Sequence, residues 1–148
     1  MTFTRLPKDW RRQPLSDPVL AADVIDLYCT VGDRRRGSLM VVICDEEERF
    51  RGAIAVDLSE LSPDLDPRGM TEALKPVVDP LSVYPEGALI LALARVGPMG
   101  ITASDAAWLE ASVQVCRVLG IRLLGFYVAS RSTVERVDLP AAEAPAAA

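Results

Sequence analysis

The sequence predicts one domain of the α/β class, an α+β mixed sheet with packed helices, and three observations support this class. Two apolar runs, Ala88–Val96 and Ile121–Ala129, have the length of strands. A helical pattern lies between them, which indicates a β-α-β unit with parallel strands. Upstream, Ser38–Asp45 and Phe50–Leu58 flank an acidic turn and predict a β-hairpin. We therefore expect Ala88–Val96 to be the central, buried strand.

The segment between the two apolar runs has the start and stop signals of a helix. Thr102-Ala-Ser-Asp105 fits the Ser/Thr-x-x-Asp/Glu capping pattern, and Gly120 fits a C-terminal stop. Helical spacing of about 100° per residue separates an apolar face from a polar one. Asp105 falls on the apolar side, so we expect its carboxylate to lean toward the sheet at the end of the central strand.

The remaining segments divide the chain into an arm, a globular domain and a tail. Residues 1–15 are expected to form a basic, irregular N-terminal arm, and residues 16–138 a single domain. Residues 139–148 are rich in alanine and proline, which predicts a disordered tail. Within the domain, helices are predicted from Pro18 to about Cys29 and from about Arg68 to Val78.

Three consecutive arginines lie between the first helix and the hairpin. The segment Asp33-Arg-Arg-Arg36, between Gly32 and Gly37, predicts a solvated charged loop. An anion site is the alternative, because guanidinium groups bind phosphate and carboxylate through paired hydrogen bonds.

Composition narrows the classes of function. The chain has 148 residues, no histidine and a formal net charge of −5. The lack of histidine excludes Ser-His-Asp and Cys-His catalysis and every zinc site that uses imidazole. The acidic balance speaks against nucleic acid as a partner, because phosphate binding needs clustered Lys and Arg. No apolar run is long enough for a membrane span and no signal peptide is evident, so we expect a cytoplasmic location.

The three cysteines, Cys29, Cys44 and Cys116, lie far apart in apolar surroundings. An odd number without CxxC spacing speaks against a disulfide framework or a structural zinc site. We expect buried, unreactive thiols.

Several short motifs occur in the order of one known family. Val41-Val-Ile-Cys-Asp45 is similar to a first long strand that ends in aspartate. Gly97-Pro-Met-Gly100, followed by Thr102-Ala-Ser-Asp105, is similar to His-x-His-Pro-Ser-Gly followed by Ser-x-x-Asp. Leu119–Val128 is similar to a Leu-Gly-Ile stretch with a closing strand. Together with the order of helices and strands, these motifs resemble the JAB/MPN domain, particularly its bacterial RadC-like branch.

The resemblance implies that the metal site of that family has been lost here. In the family, two histidines and an aspartate hold zinc, and an upstream glutamate acts as general base on the bound water. Asp105 matches the metal aspartate and Thr102 matches the serine. The histidine positions fall near Arg95 and Gly97, and the glutamate position falls near Gly37. One protein ligand would remain instead of three, so the resemblance implies no zinc, no other cofactor and no catalytic residue.

The leading interpretation is a catalytically inactive JAB/MPN-like domain that serves as a protein-interaction or scaffold subunit. The resemblance implies a partner, either another protein subunit or a second copy of the chain, in a homo- or hetero-oligomer. The side chains expected to be exposed for contact are Trp10, Arg11, Arg12, Arg34, Arg35, Arg36 and Tyr84.

The alternative is a metal-independent module, or an enzyme, that binds a small anion or nucleotide at the Gly97–Asp105 turn. A glycine-rich turn before a helix start offers N–H groups and the positive end of the helix dipole. Arg95 could pair with such a ligand and Asp105 could orient it, or the two could pair with each other. The residues of this site are Arg95, Gly97, Gly100, Thr102 and Asp105. A nucleic-acid accessory role depends only on the basic arm and the RadC-like resemblance.

Overall fold

A five-stranded mixed sheet forms the centre of the domain. The computed structural model describes residues 6–58, 72, 75–76, 79 and 86–139. The strands are β1 (Ser38–Cys44), β2 (Phe50–Asp57), β3 (Ala88–Ala94), β4 (Arg122–Ala129) and β5 (Val134–Val137). Their order across the sheet is β2-β1-β3-β4-β5. Strand β1 is antiparallel to β2 and β3, β3 is parallel to β4, and β5 is antiparallel to β4. The predicted mixed α/β class, the hairpin and the β-α-β unit are confirmed.

The described helices follow from local capping signals. They are α1 (Pro18–Tyr28), α2 (Val31–Arg36) and α3 (Ala103–Leu119), with a 3-10 turn at Trp10–Arg12. Helix α1 begins as predicted, because the Asp17 carboxylate accepts hydrogen bonds from the N–H groups of Val19 and Leu20. Among these described helices, none is both long and apolar enough to cross a membrane.

Strand β3 is buried along its whole length because helices cover both faces of the sheet. Leu89, Leu91 and Leu93 belong to the apolar core that includes α3. The alternate residues of β3 belong to the core that includes α1, and three of these four are alanines. The parallel strands β3 and β4 finish together, with Ala94 opposite Ala129. The loops that follow these two strands therefore lie at the same edge of the sheet.

Helix α3 has the ends and the faces that its sequence predicts. The Thr102 hydroxyl and the Asp105 carboxylate form a reciprocal capping box, and Gly120 ends the helix in the left-handed region with a φ of 68°. Glu110, Gln114 and Arg117 are exposed. Their opposite face contributes to the core against β3 and β4.

Within residues 6–15, the prediction that Trp10 is exposed for contact is wrong. Trp10 is only 6% exposed and packs edge-on against Phe50, with ring centroids 5.1 Å apart. Tyr28 completes the aromatic cluster by stacking on Phe50 at 5.1 Å. Trp10 therefore fills the core and is not an exposed contact residue. The neighbouring Arg11 guanidinium lies 4.5 Å above the Trp10 ring.

The prediction of a charged loop at Asp33–Arg36 is also wrong, because these residues end helix α2. Thr30 and Asp33 form a second capping box, and Gly37 ends the helix with a φ of 82°. Positive φ values favour glycine, which has no Cβ. The helix predicted at Arg68–Val78 and the residue Tyr84 lie outside the described residues, apart from positions 72, 75 and 76.

Candidate functional site

The loop after β3 is held by the side chain of Arg95. A guanidinium has five N–H donors, and Arg95 makes five hydrogen bonds with them. Nε and Nη2 donate to the two carboxylate oxygens of Asp105 at 2.8 and 2.6 Å. The remaining donors reach the carbonyl oxygens of Pro98 at 2.8 Å, Gly100 at 2.9 Å and Val96 at 3.4 Å. The Arg95 side chain therefore has no donor left for a ligand.

The Asp105 carboxylate is buried and accepts hydrogen bonds from groups of the same fold. Its side chain is 1% exposed, and it accepts a hydrogen bond from the Thr102 N–H at 2.9 Å in addition to those from Arg95. Burial alone would raise the pKa of the Asp105 carboxyl. The hydrogen bonds from Arg95 and Thr102, with the positive charge of Arg95, outweigh burial and hold that pKa below its ordinary value. Asp105 is therefore an ionised structural group and not a proton donor poised near neutral pH.

The Gly97–Asp105 turn is shaped by two glycines and a contact from β5. Gly97 and Gly100 have φ values of 114° and 88°, in the region that favours glycine. The Gly100 N–H donates to the Glu135 carboxylate at 3.2 Å. Between them, Met99 is 68% exposed, and Val96 and Ile101 are 53% and 45% exposed. The turn thus has a satisfied polar interior and an apolar outer surface.

The residues at this turn do not fit the zinc site that the JAB/MPN resemblance brings with it. Both carboxylate oxygens of Asp105 already face the positive charge of Arg95. A guanidinium has no acceptor that could bind a metal ion. Within the described parts of the chain, no group of three His, Cys, Asp or Glu side chains lies together as metal ligands would. No metal chemistry is therefore assigned to Asp105.

A second arginine connects three segments near the same edge of the sheet. Arg34 of α2 forms a buried ion pair with Asp26 of α1, with Nη2 and Oδ1 2.8 Å apart and each side chain 9% exposed. Its Nη1 donates to the Ser130 carbonyl after β4 at 3.2 Å. Its Nε is buried and has no hydrogen-bond partner among the described residues. Such an unpaired buried donor is rare in proteins.

These segments enclose an open pocket of about 470 Å³. It lies between helix α2 and the loops that follow β3 and β4, and we call it the arginine pocket. Its walls are Val31, Arg34, Arg35, Val96, Gly97 and Arg131. Among the described residues, the lining includes three arginines and no acid. Ligands in open α/β sheets commonly bind at such a position, beyond the carboxyl ends of parallel strands.

The structure gathers the residues predicted for the turn but separates the predicted contact residues. Arg95, Gly97, Gly100, Thr102 and Asp105 all lie in or beside one hydrogen-bonded turn. Arg34 and Arg35 lie next to that turn in the arginine pocket. Arg36 instead pairs with Asp33 at 2.8 Å. Trp10, Arg11 and Arg12 belong to the 3-10 turn that packs near β2.

Three residues near this edge of the sheet were not predicted from the sequence. Arg131 lies two residues after the end of β4, as Val96 lies two residues after the end of β3, so the rule for carboxyl ends of strands could have identified it. Asp26 and Glu135 contact Arg34 and Gly100 across distances along the chain that no local pattern indicates.

The cysteines are buried, free thiols, as predicted. Desolvation by burial raises the pKa of Cys29, Cys44 and Cys116 to about 12 in each case. A thiol is nucleophilic only as its thiolate, so these side chains are unreactive at neutral pH.

Comparison of the sequence and the fold with protein-family models, curated proteins and solved structures gives no match. The class of the protein is therefore defined by its own fold and residues. It is a mixed α/β domain with an arginine-lined pocket at one edge of its sheet and, beside the pocket, a turn that is held by hydrogen bonds within the fold.

Proposed function

We propose that this chain is a catalytically inactive, JAB/MPN-like domain that acts as a protein-interaction or scaffold subunit in the bacterial cytoplasm. The observation that carries the proposal is the Arg95–Asp105 pair. In the family that the sequence resembles, the matching aspartate is a zinc ligand. Here a guanidinium from the preceding strand end contacts both oxygens of that carboxylate, at 2.8 and 2.6 Å.

The pair supports loss of catalysis in a specific way. A hydrolytic zinc site needs ligands with free lone pairs and an open position for water. Arg95 neutralises the carboxylate charge that would attract a metal ion, and it also occupies the carbonyl groups of Pro98 and Gly100. The polar groups of the turn are thus engaged within the fold, which fits a domain that binds a partner and does not catalyse a reaction.

The outer surface of the turn supports an interaction role. Met99 and Ile101 expose 68% and 45% of their surfaces, and the nearby Val96 exposes 53%. Single exposed apolar residues are ordinary, but three within six consecutive positions form a patch of the kind that protein interfaces cover. The partner in this proposal is a second copy or another subunit.

Native mass spectrometry of the protein isolated with its natural partners, before and after chelation, tests the proposal. We expect a metal-free chain in a homo-oligomer or bound to a second polypeptide, with masses that chelation does not change. One chelatable zinc ion per chain would overturn the inactive assignment. A metal-free monomer without a partner would overturn the interaction role.

A matched pair of variants locates the surface. Met99→Ser removes an exposed apolar side chain from the turn, and Val118→Ser removes one that is 56% exposed near the far end of α3. We expect only Met99→Ser to shift the population toward free chains. Equal behaviour of the two variants would contradict the placement of the interface at the turn.

A further inference from the structure

We propose that the arginine pocket binds a small organic phosphate, with the phosphate group on its arginines and the organic part against its valines. This inference does not rest on the Arg95–Asp105 pair that carries the proposed interaction role, because it depends on Arg34, Arg35 and Arg131, although Val96 belongs both to the exposed surface of the turn and to the pocket. It also differs from an anion site at the Gly97–Asp105 turn, because the donors of Arg95 are all used within the fold.

The charge of the pocket supports a dianion. Arg34, Arg35 and Arg131 line it, and Asp26 is the acid that pairs with one of them. Three positive charges less one negative charge leave an excess of two. A phosphate monoester carries about −1.5 to −2 at neutral pH. In a chain whose net charge is −5, this local excess of positive charge attracts anions to one place on the surface.

Two of these arginines are available to a ligand. Arg35 and Arg131 are exposed, and neither has an ion-pair partner within 4.0 Å in the described part of the chain. Guanidinium groups suit phosphate because their planar donors match pairs of phosphate oxygens. An anion between them also relieves the repulsion of neighbouring positive charges.

Arg34 adds a positive charge that the fold holds in a fixed position at the wall of the pocket. Its Nη1 and Nη2 are held by Ser130 and Asp26, while its buried Nε has no partner among the described residues. The side chain is a lining group of the pocket. Arg34 is therefore preorganised, and Arg35 and Arg131 can close on the ligand.

The size and the apolar walls of the pocket indicate more than a bare phosphate ion. Small-molecule sites commonly occupy about 300–1,000 Å³, and the arginine pocket measures about 470 Å³. Val31 and Val96, which are 69% and 53% exposed, supply the apolar walls. A compact organic group beside the phosphate would cover both side chains.

Isothermal titration calorimetry of the full chain with phenyl phosphate tests the inference, with inorganic phosphate as the second ligand. We expect saturable binding of phenyl phosphate at one site per chain, weakened by added salt. Arg35→Gln and Arg131→Gln should each weaken the affinity by about tenfold, a factor that corresponds to about 1.4 kcal/mol. Inorganic phosphate should bind more weakly than phenyl phosphate, because it cannot cover the valines.

Arg51→Gln is the matched control, since Arg51 is exposed near the start of β2, at the opposite edge of the sheet. It removes the same charge and should change the affinity by less than about twofold. Absence of saturable binding by the wild-type chain would overturn the inference, and so would an equal loss in Arg51→Gln and the pocket variants. Equal affinities for the two ligands would overturn the role of the valines. Because Arg35 and Arg131 are exposed, unfolding midpoints should confirm that both variants remain folded.

Discussion

Replacement of Arg95 by methionine should destabilise the domain strongly at neutral pH. The variant Arg95→Met keeps a side chain of similar length but removes both contacts to the Asp105 carboxylate and those to the loop carbonyls. The carboxylate would stay 1% exposed with the Thr102 N–H as its main remaining donor. Removal of one partner from a buried ion pair costs about 3–5 kcal/mol. We expect a loss in this range in urea unfolding at pH 7.

The pH dependence of that loss separates the ion pair from simple packing. In the wild type, the lowered pKa of Asp105 contributes stability above its ordinary value near 3.8, which is lost as the pH falls through the folded-state pKa. In Arg95→Met, burial without the cation should raise the pKa of Asp105 instead. The variant then regains stability on acidification, because the neutral carboxyl tolerates burial. The difference between the two proteins should shrink between pH 7 and pH 4.

One control variant and one double variant test the role of the ion pair. Arg51→Met changes an exposed arginine on β2 and should alter the free energy of unfolding by less than about 0.5 kcal/mol. Arg95→Met combined with Asp105→Asn should cost less than the sum of the two single changes, since the buried charge is then gone. A loss below about 1 kcal/mol at pH 7, or a loss that stays the same at pH 4, would refute the role of the pair.

Three further predictions concern the rest of the described fold. Arg34→Met should lower the free energy of unfolding by about 3–5 kcal/mol in urea, because it leaves the buried Asp26 carboxylate without its cation. Trp10→Ala should lower it by about 3–5 kcal/mol, because Trp10 fills the core between α1 and β2. The native chain should lose stability above about pH 9, because its buried thiols, with pKa values of about 12, keep protons that the unfolded chain releases at its ordinary value of 9.0.

Each of these three predictions can be contradicted by a specific result. If the Trp10 side chain were solvated, Trp10→Ala would leave the free energy of unfolding unchanged. Arg12→Ala, at an exposed position two residues away, should leave it unchanged in any case. Arg34→Lys should recover part of the loss in Arg34→Met if charge pairing with Asp26 matters, and none of it otherwise. Rapid reaction of a thiol reagent with the folded chain at pH 8 would contradict the buried thiols, which should react only after denaturant is added.

Local signals made the central part of the fold predictable. The apolar run of β3 and the capping pattern of Thr102 and Asp105 are complete within a few residues, so their interpretation needs no knowledge of the rest of the chain. The same capping pattern occurs at Thr30-Val-Gly-Asp33 and begins α2. There, Gly32 and the three arginines favour a loop by composition, whereas Thr30 and Asp33 cap a short helix. A short helix is decided by its caps more than by its composition.

Contacts between distant segments could not be predicted. The burial of Trp10 depends on Tyr28 and Phe50, which the sheet and α1 bring beside it. The arginine pocket likewise requires α2 and the loops after β3 and β4 to meet. Sequence alone identified the pairing of Arg95 with Asp105 as one of two possibilities, because each lies at the end of an element whose direction was predictable.

A loop that is held by an arginine differs from one that is held by a metal ion in how it depends on its surroundings. A metal ion that holds a loop can be diluted, competed away or withdrawn by a chelator, since its occupancy follows its free concentration. Arg95 is covalently part of the chain, so every molecule carries its guanidinium beside Asp105 and cannot lose it by dissociation. The hydrogen bonds by which Arg95 holds the turn therefore do not depend on the concentration of a free ion. These contacts respond instead to acidity, through the Asp105 carboxylate, and to the stability of the fold.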